Sequence, residues 1–273
     1  MGILHRVKNL GDTVSTAATV FGKDVAQAVQ RGADAGRAGT SATGGWVLSV
    51  LRSLPAPAAP APEEWEFSLG ALVCSHPRVP AVTAKALRTL DGIGALRFGP
   101  ASVGFDGEDV PWDKVVHLRL HDAFSAMSTE ALDTEIDRIR DLLPMVPGRK
   151  WLVTKVVEGL ASVMLAALEQ AAERRLETVD VACEITYRGA FGIKKTLRAN
   201  MFTTALLAQQ DEVMHSLVLT AQANGVPVLP AEAPQTGTRT ADRVLALRAR
   251  TDAVAAQLRA EEAADAPALD PAP

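Results

Sequence analysis

Apolar residues recur along this chain at two intervals, and the change of interval divides it into parts. From Ile3 to Val29 they fall at steps of three and four, with Ile3, Val7, Leu10, Val14, Ala17, Phe21, Val25 and Ala28 on one side. His5, Arg6, Lys8, Asp12, Lys23 and Arg31 lie opposite, which predicts an amphipathic helix. Gly11 and Gly22 each weaken it by about 1 kcal/mol relative to alanine, so on its own it is marginal. After a Gly- and Ala-rich stretch at 32–45, Val47, Val50, Leu51 and Leu54 share a second helical face. The run PAPAAPAP (55–62) then reads as an extended, semi-rigid linker between an N-terminal helical region (1–54) and a core domain (63–232).

Beyond the linker, EEWEFSLGALVCSHP and VPAVTAKALRTLDG are read as short helices ended by Gly92. The interval then shortens to two. Ala95–Phe98 and Ser102–Phe105 read as strands, and Asp106–Gly107 as a hairpin turn. A third strand is expected to run through Trp112 to Leu120, with Val116, Leu118 and Leu120 facing one way and His117, Arg119 and His121 the other. Helical spacing returns after Ser128, an N-cap, with Leu132, Ile136, Ile139 and Leu143 as the buried face. A longer helix follows to Arg175, apolar at Leu152, Val156, Leu160, Val163, Ala167 and Ala171. Residues 178–187 alternate again, RGAFG (188–192) turns the chain, and a helix over 211–224 stops at Gly225 before Pro227. A charged helix with Val244, Leu247, Val254 and Leu258 on a seam occupies the C-terminal region (233–262), and 263–273 reads as a disordered tail. The order of elements predicts an α+β fold.

Composition narrows what such a fold could do. The chain has 273 residues, 48% apolar and 22% charged, with a net charge of −4 and 4% aromatics. That balance argues against a nucleic-acid partner, which needs basic surface and stacking rings. Cys74 and Cys183 stand far apart, in no metal-ligand or disulfide pattern, which suits a reducing cytoplasm. The N-terminus lacks the apolar core and cleavage site of a secretory signal. The apolar run at 159–170 falls short of the roughly 20 residues that cross a bilayer. Up to Pro62, however, six basic residues face three acidic ones, a basic excess that suits an interfacial anchor. Ile3, Val7, Leu10, Val14, Phe21, Trp46 and Leu51 are therefore the expected contacts with a membrane or a protein partner.

Two groups of polar residues could carry chemistry. His117, Arg119 and His121 share the polar face of one strand, where Arg supplies anion geometry and His becomes cationic in mild acid. Arg188, Lys194, Lys195 and Arg198 surround the RGAFG hairpin, with Phe191 at its tip. Together they form a candidate site for an anionic group. A charged strand edge that resists aggregation explains the hairpin cations without any ligand, and Phe191 is the residue that discriminates. Asp106, Glu108, Asp109 and Asp113 read as the dressing of an exposed turn, since no calcium-loop spacing is present. No catalytic residue, metal site or cofactor site emerges from spacing alone.

The stretch SVGFDG followed by EDVPWDKVVHLRL resembles the opening of small bacterial pleckstrin-homology-like domains. Residues 178–224, ending in the helix DEVMHSLVLTAQANG, would supply the rest of the bent antiparallel sheet and its closing helix. The helices at 128–175 then form an insertion. The resemblance covers about 75 residues in two pieces and implies non-catalytic binding of lipids, peptides or proteins. The expectation is a non-enzymatic adaptor or scaffold in a bacterial cytoplasm, peripheral at the inner membrane face. The alternatives are a structural protein assembling through its terminal helices, and a hydrolase using His117 and His121.

Overall fold

The computed structural model of the chain describes residues 45–76, 79, 87–143, 149–231 and 240–264. The helix expected over 3–29, with Ile3, Val7, Leu10, Val14 and Phe21, lies outside the described residues, as does the tail from 265. The described chain is mixed α+β, with two four-stranded sheets.

Helix α1 (Gly45–Ser53) buries the face read from its spacing: Val47, Val50 and Leu51 are in the core. This corrects the assignment of Leu51 as an outward contact. It is 1% exposed and α1 packs on a core helix. The Pro-rich stretch behind it is likewise held rather than spanning open space. Ala61 is buried and its N–H donates to Thr220 Oγ1 at 2.8 Å, Ser216 Oγ donates to Ala58 O at 2.6 Å, and Trp65 Nε1 donates to Pro55 O at 3.2 Å.

Where a helix was expected after Glu64, the chain makes strand β1 (Trp65–Ser68) and then α2 (Leu69–Cys74). Trp65 and Phe67 alternate inward, and Ser68 both ends the strand and caps the helix by accepting from Ala71 N. Strands β2 (Ala95–Phe98), β3 (Ser102–Phe105) and β4 (Glu108–Pro111) complete an antiparallel sheet in the order β1-β2-β3-β4. Asp106 and Gly107, at φ 54° and 84°, make the tight turn between β3 and β4, the primed geometry that matches strand twist.

The third expected strand does not run straight through. A 3-10 turn at Trp112–Lys114 breaks it, and β5 (Val115–Asp122) belongs to a second sheet. Trp112 causes the break. Its buried ring donates Nε1–H to Gly99 O at 2.7 Å, pinning the corner to the β2–β3 turn. Across helices α3 (Thr129–Leu142) and α4 (Arg149–Glu173), β5 pairs with β6 (Asp180–Arg188). Then β6 pairs with β7 (Lys194–Arg198). The opposite edge carries β8 (Val228–Leu229), parallel to β5.

Helix α5 (Met201–Gln209) touches both sheets and has Met201 to Ala208 all buried. Phe202 stacks on Phe67 of the first sheet at 6.3 Å between ring centres. Helices α6 (Asp211–Ala223) and α7 (Thr240–Ala264) complete the chain. The α7 seam is used internally: Val244, Leu247 and Val254 are buried, and α7 packs on α4. Ion pairs from Arg248 to Glu169 and from Arg250 to Asp133 flank that contact. Helix α4 is long and apolar enough to cross a bilayer by length and composition, with mean hydropathy 1.6 over 18 residues. Of that stretch, however, 67% is buried inside the protein.

Candidate functional site

Apart from Lys195, which pairs with Tyr187 and so belongs to the other face, the two clusters read from the sequence occur on the same face of the second sheet. Pairing register brings His117 opposite Thr186 and Arg119 opposite Glu184. Glu184, Thr186 and Arg188 of β6 stand opposite Arg198, Thr196 and Lys194 of β7. Leu118 and Ile185 fill the opposite, core-facing side, both fully buried. Alternation therefore sends every polar member of these rows outward together.

The rows are not electrostatically alike. The Glu184 side chain is 9% exposed and is ringed by nitrogens of two arginines and a histidine: Arg198 Nε lies at 2.8 Å, His121 Nε2 at 3.2 Å and Arg119 Nε at 3.8 Å. A carboxylate so buried needs these partners to offset its lost hydration. Arg119, His121 and Arg198 are consequently committed to an acid within the protein. Towards the hairpin tip the situation reverses. Arg188 and Lys194 are exposed on this face, with Lys195 exposed on the other. Among the described residues none of these three has an ion-pair partner.

The tip itself is a 3-10 turn, Ala190–Gly192. Phe191 is 101% exposed and Ile193 is 63% exposed. Phe191 also holds φ at +61°, in the left-handed region that a bulky side chain rarely adopts. The hairpin thus bears two separate costs at one residue, an unburied aromatic ring and a strained backbone.

Asp106, read as part of an exposed turn, has its carboxylate directed inward. Oδ1 accepts from Ala95 N at 3.2 Å and from Thr203 Oγ1 at 3.1 Å, and Oδ2 accepts from Asn200 N at 2.9 Å. Burial pushes its pKa up to about 6, against the lowering effect of those hydrogen bonds. The carboxylate fastens the first sheet to the residues that link β7 to α5. A second link joins the two sheets directly: the Tyr187 hydroxyl of β6 donates to Glu108 of β4. Asp109 instead pairs with Arg97 at 2.6 Å.

His117 is held below the ordinary imidazole value, first by partial burial and then by Arg119 and Lys194, with Glu184 opposing. The Cys183 thiol is driven up to about 12, chiefly by burial, and is a poor nucleophile. An acid does stand beside His121, but on an open sheet face. The groove lined by Ala56, Pro57, Ala59, Asp211, Glu212 and His215 contains neither His117 nor His121. Trp46 is half-buried, its ring edge-on to His76 at 5.0 Å. Sequence reasoning missed Glu184 as a hub and Asp106 as a clamp. It also missed Thr186 and Thr196, although the polar alternation through 184, 186, 196 and 198 carried that signal. No known family, curated protein or solved structure matches this chain.

Proposed function

We propose that the protein is a non-enzymatic adaptor that docks on an anionic membrane surface through the β6–β7 hairpin. In this reading Phe191 and Ile193 enter the headgroup region, and Arg188, Lys194 and Lys195 lie against the negative charge. One observation carries it: a fully exposed phenylalanine in a strained conformation, set among cations without protein partners. A charged edge that merely resists aggregation accounts for the lysines. It gives no reason for the ring.

The energetics suit reversible binding. Inserting a phenylalanine is worth about 2 kcal/mol, and each cation near an anionic leaflet about 1 kcal/mol. The hairpin alone therefore supplies roughly 5 kcal/mol, the range in which a second attachment decides residence. The amphipathic run from Ile3 to Phe21 is the natural second attachment, placing the protein at the cytoplasmic face of a bacterial membrane. For the fold, we read the two sheets as pleckstrin-homology-like with α3 and α4 inserted. The β2–β3–β4 meander leading into β5, and the pairing of β5 with β6 across those helices, support this. Sedimentation with phosphatidylglycerol vesicles and with neutral phosphatidylcholine vesicles tests the function. Binding to the anionic set that weakens as salt rises is expected. Equal binding to both sets, or to neither, would remove the proposal.

A further inference from the structure

Between the row neutralised by Glu184 and the free cations at the tip lies a third row. His117, Thr186 and Thr196 are successive cross-strand neighbours on β5, β6 and β7, so their Cβ atoms are about 5 Å apart. Thr186 is only 8% exposed. Among the described residues none of these three side chains has a hydrogen-bond partner, within the row or outside it. The Thr186 oxygen is not among the fully enclosed side-chain atoms that lack a partner, so all three donors stay open to a ligand on this face. On one side of the row stand Arg119 and Arg198, and on the other Arg188 and Lys194. The row's nearest carboxylate, Glu184, has its oxygens engaged by Arg119, His121 and Arg198.

We infer that this row is a binding site for a tetrahedral oxyanion, inorganic phosphate or a phosphomonoester. Thr186 and Thr196 donate from their hydroxyls, His117 donates from its imidazole, and Lys194 and Arg188 balance the charge. The chemistry favours this class over a carboxylate. Three donors in a line ask for a group with several acceptor oxygens, and flanking cations favour a dianion. Arg119 and Lys194 resist protonation of His117 in the free protein, and an anion seated between them reverses that effect. The site shares a face with the docking hairpin but does not depend on membrane binding, since it uses neither Phe191 nor Ile193.

The test uses the full chain with 13C-labelled histidine, followed by NMR as inorganic phosphate is added. A saturable shift at His117 is expected, together with a rise in its pKa. Thr186→Val and Thr196→Val keep the β-branched shape and each remove one hydroxyl, so each should weaken binding roughly tenfold or more. Thr196 is exposed, so T196V tests the site even if the buried T186V fails to fold. A parallel arm compares vesicles carrying a phosphomonoester lipid with vesicles of equal charge carrying a phosphodiester lipid. Threonine-dependent binding of free phosphate supports a soluble ligand. A threonine-dependent preference for monoester vesicles without a response to free phosphate assigns the same site to a lipid headgroup. If T196V changes neither response, the site is overturned, while Phe191-dependent vesicle binding would stand or fall separately.

Discussion

Replacing Phe191 with glycine should move stability and membrane affinity in opposite directions. The ring is 101% exposed, so its removal takes away no folded-state packing. The backbone at φ +61° costs an L-residue about 1–2 kcal/mol, which glycine does not bear. Glycine's greater freedom in the unfolded chain returns about 0.5–1 kcal/mol of that gain. The net change is between zero and about 1.5 kcal/mol of added stability, or a rise in Tm of up to roughly 6 °C for a chain of this size. Vesicle affinity should fall by the transfer energy of the lost ring, about 1.5–3 kcal/mol, a factor of roughly 10 to 150. Calorimetric melting and sedimentation with anionic vesicles measure the two quantities on one preparation. A Tm lowered by several degrees would mean that Phe191 serves the fold. Unchanged vesicle binding would mean that the hairpin tip does not touch the bilayer.

Three other perturbations probe separate parts of the same surface. Changing Arg188, Lys194 and Lys195 together to glutamine should lower anionic-vesicle affinity by about 3 kcal/mol and flatten its salt dependence; a salt response that survives would point to other cations. Glu184→Gln leaves Arg119 and Arg198 without their acid, so urea unfolding should show a loss of about 1–3 kcal/mol, while vesicle binding tightens because the face gains a positive charge. Weaker binding in a folded E184Q protein would contradict the charge assignment. Asp106 gives a pH test. Its folded pKa of about 6 lies above the ordinary carboxylate value of 3.8, so the folded state binds the proton more tightly than the unfolded one. The stabilisation from that proton is full below pH 3.8 and is lost as pH rises through about 6, about 3 kcal/mol in total. Unfolding curves of the wild type and Asp106→Asn, compared from pH 4 to 7, should diverge by that slope; parallel curves would mean that the carboxylate is not held in a desolvated place.

Elements whose burial follows their own periodicity were legible. The β3–β4 hairpin was marked by Val103 and Phe105 ahead of Asp106–Gly107, and α3 and α4 by Leu132, Ile136, Leu152, Val156 and Leu160. All of these side chains are buried. Illegible elements depended on partners distant in the chain. Trp65 and Phe67 alternate over only four residues before a helical run, too short for the period of two to stand out. Helix α5 is buried on all sides because α4 and both sheets pack on it, so it has no polar face to reveal a helical period. The division into two sheets depends on Trp112 reaching Gly99, a contact that no local pattern encodes. The site followed the same rule. Cations and Phe191 could be listed from sequence, but which cations were already matched depended on Glu184, more than sixty residues from Arg119 and His121 along the chain. Asp106 looked like turn dressing because two of its donors, Asn200 N and Thr203 Oγ1, lie on the far side of the insertion.

The corner at Trp112 also sets an order of assembly. Every strand of the first sheet has left the ribosome by Pro111, so that meander can zip while translation continues. Strand β5 must then wait, with both long edges bare, until β6 arrives beyond α3 and α4. Non-local pairing of this kind is slow to nucleate. Pulse-labelling hydrogen exchange during refolding should accordingly protect Leu96 and Val103 well before Leu118 and Ile185; simultaneous protection would show that the two sheets nucleate as one.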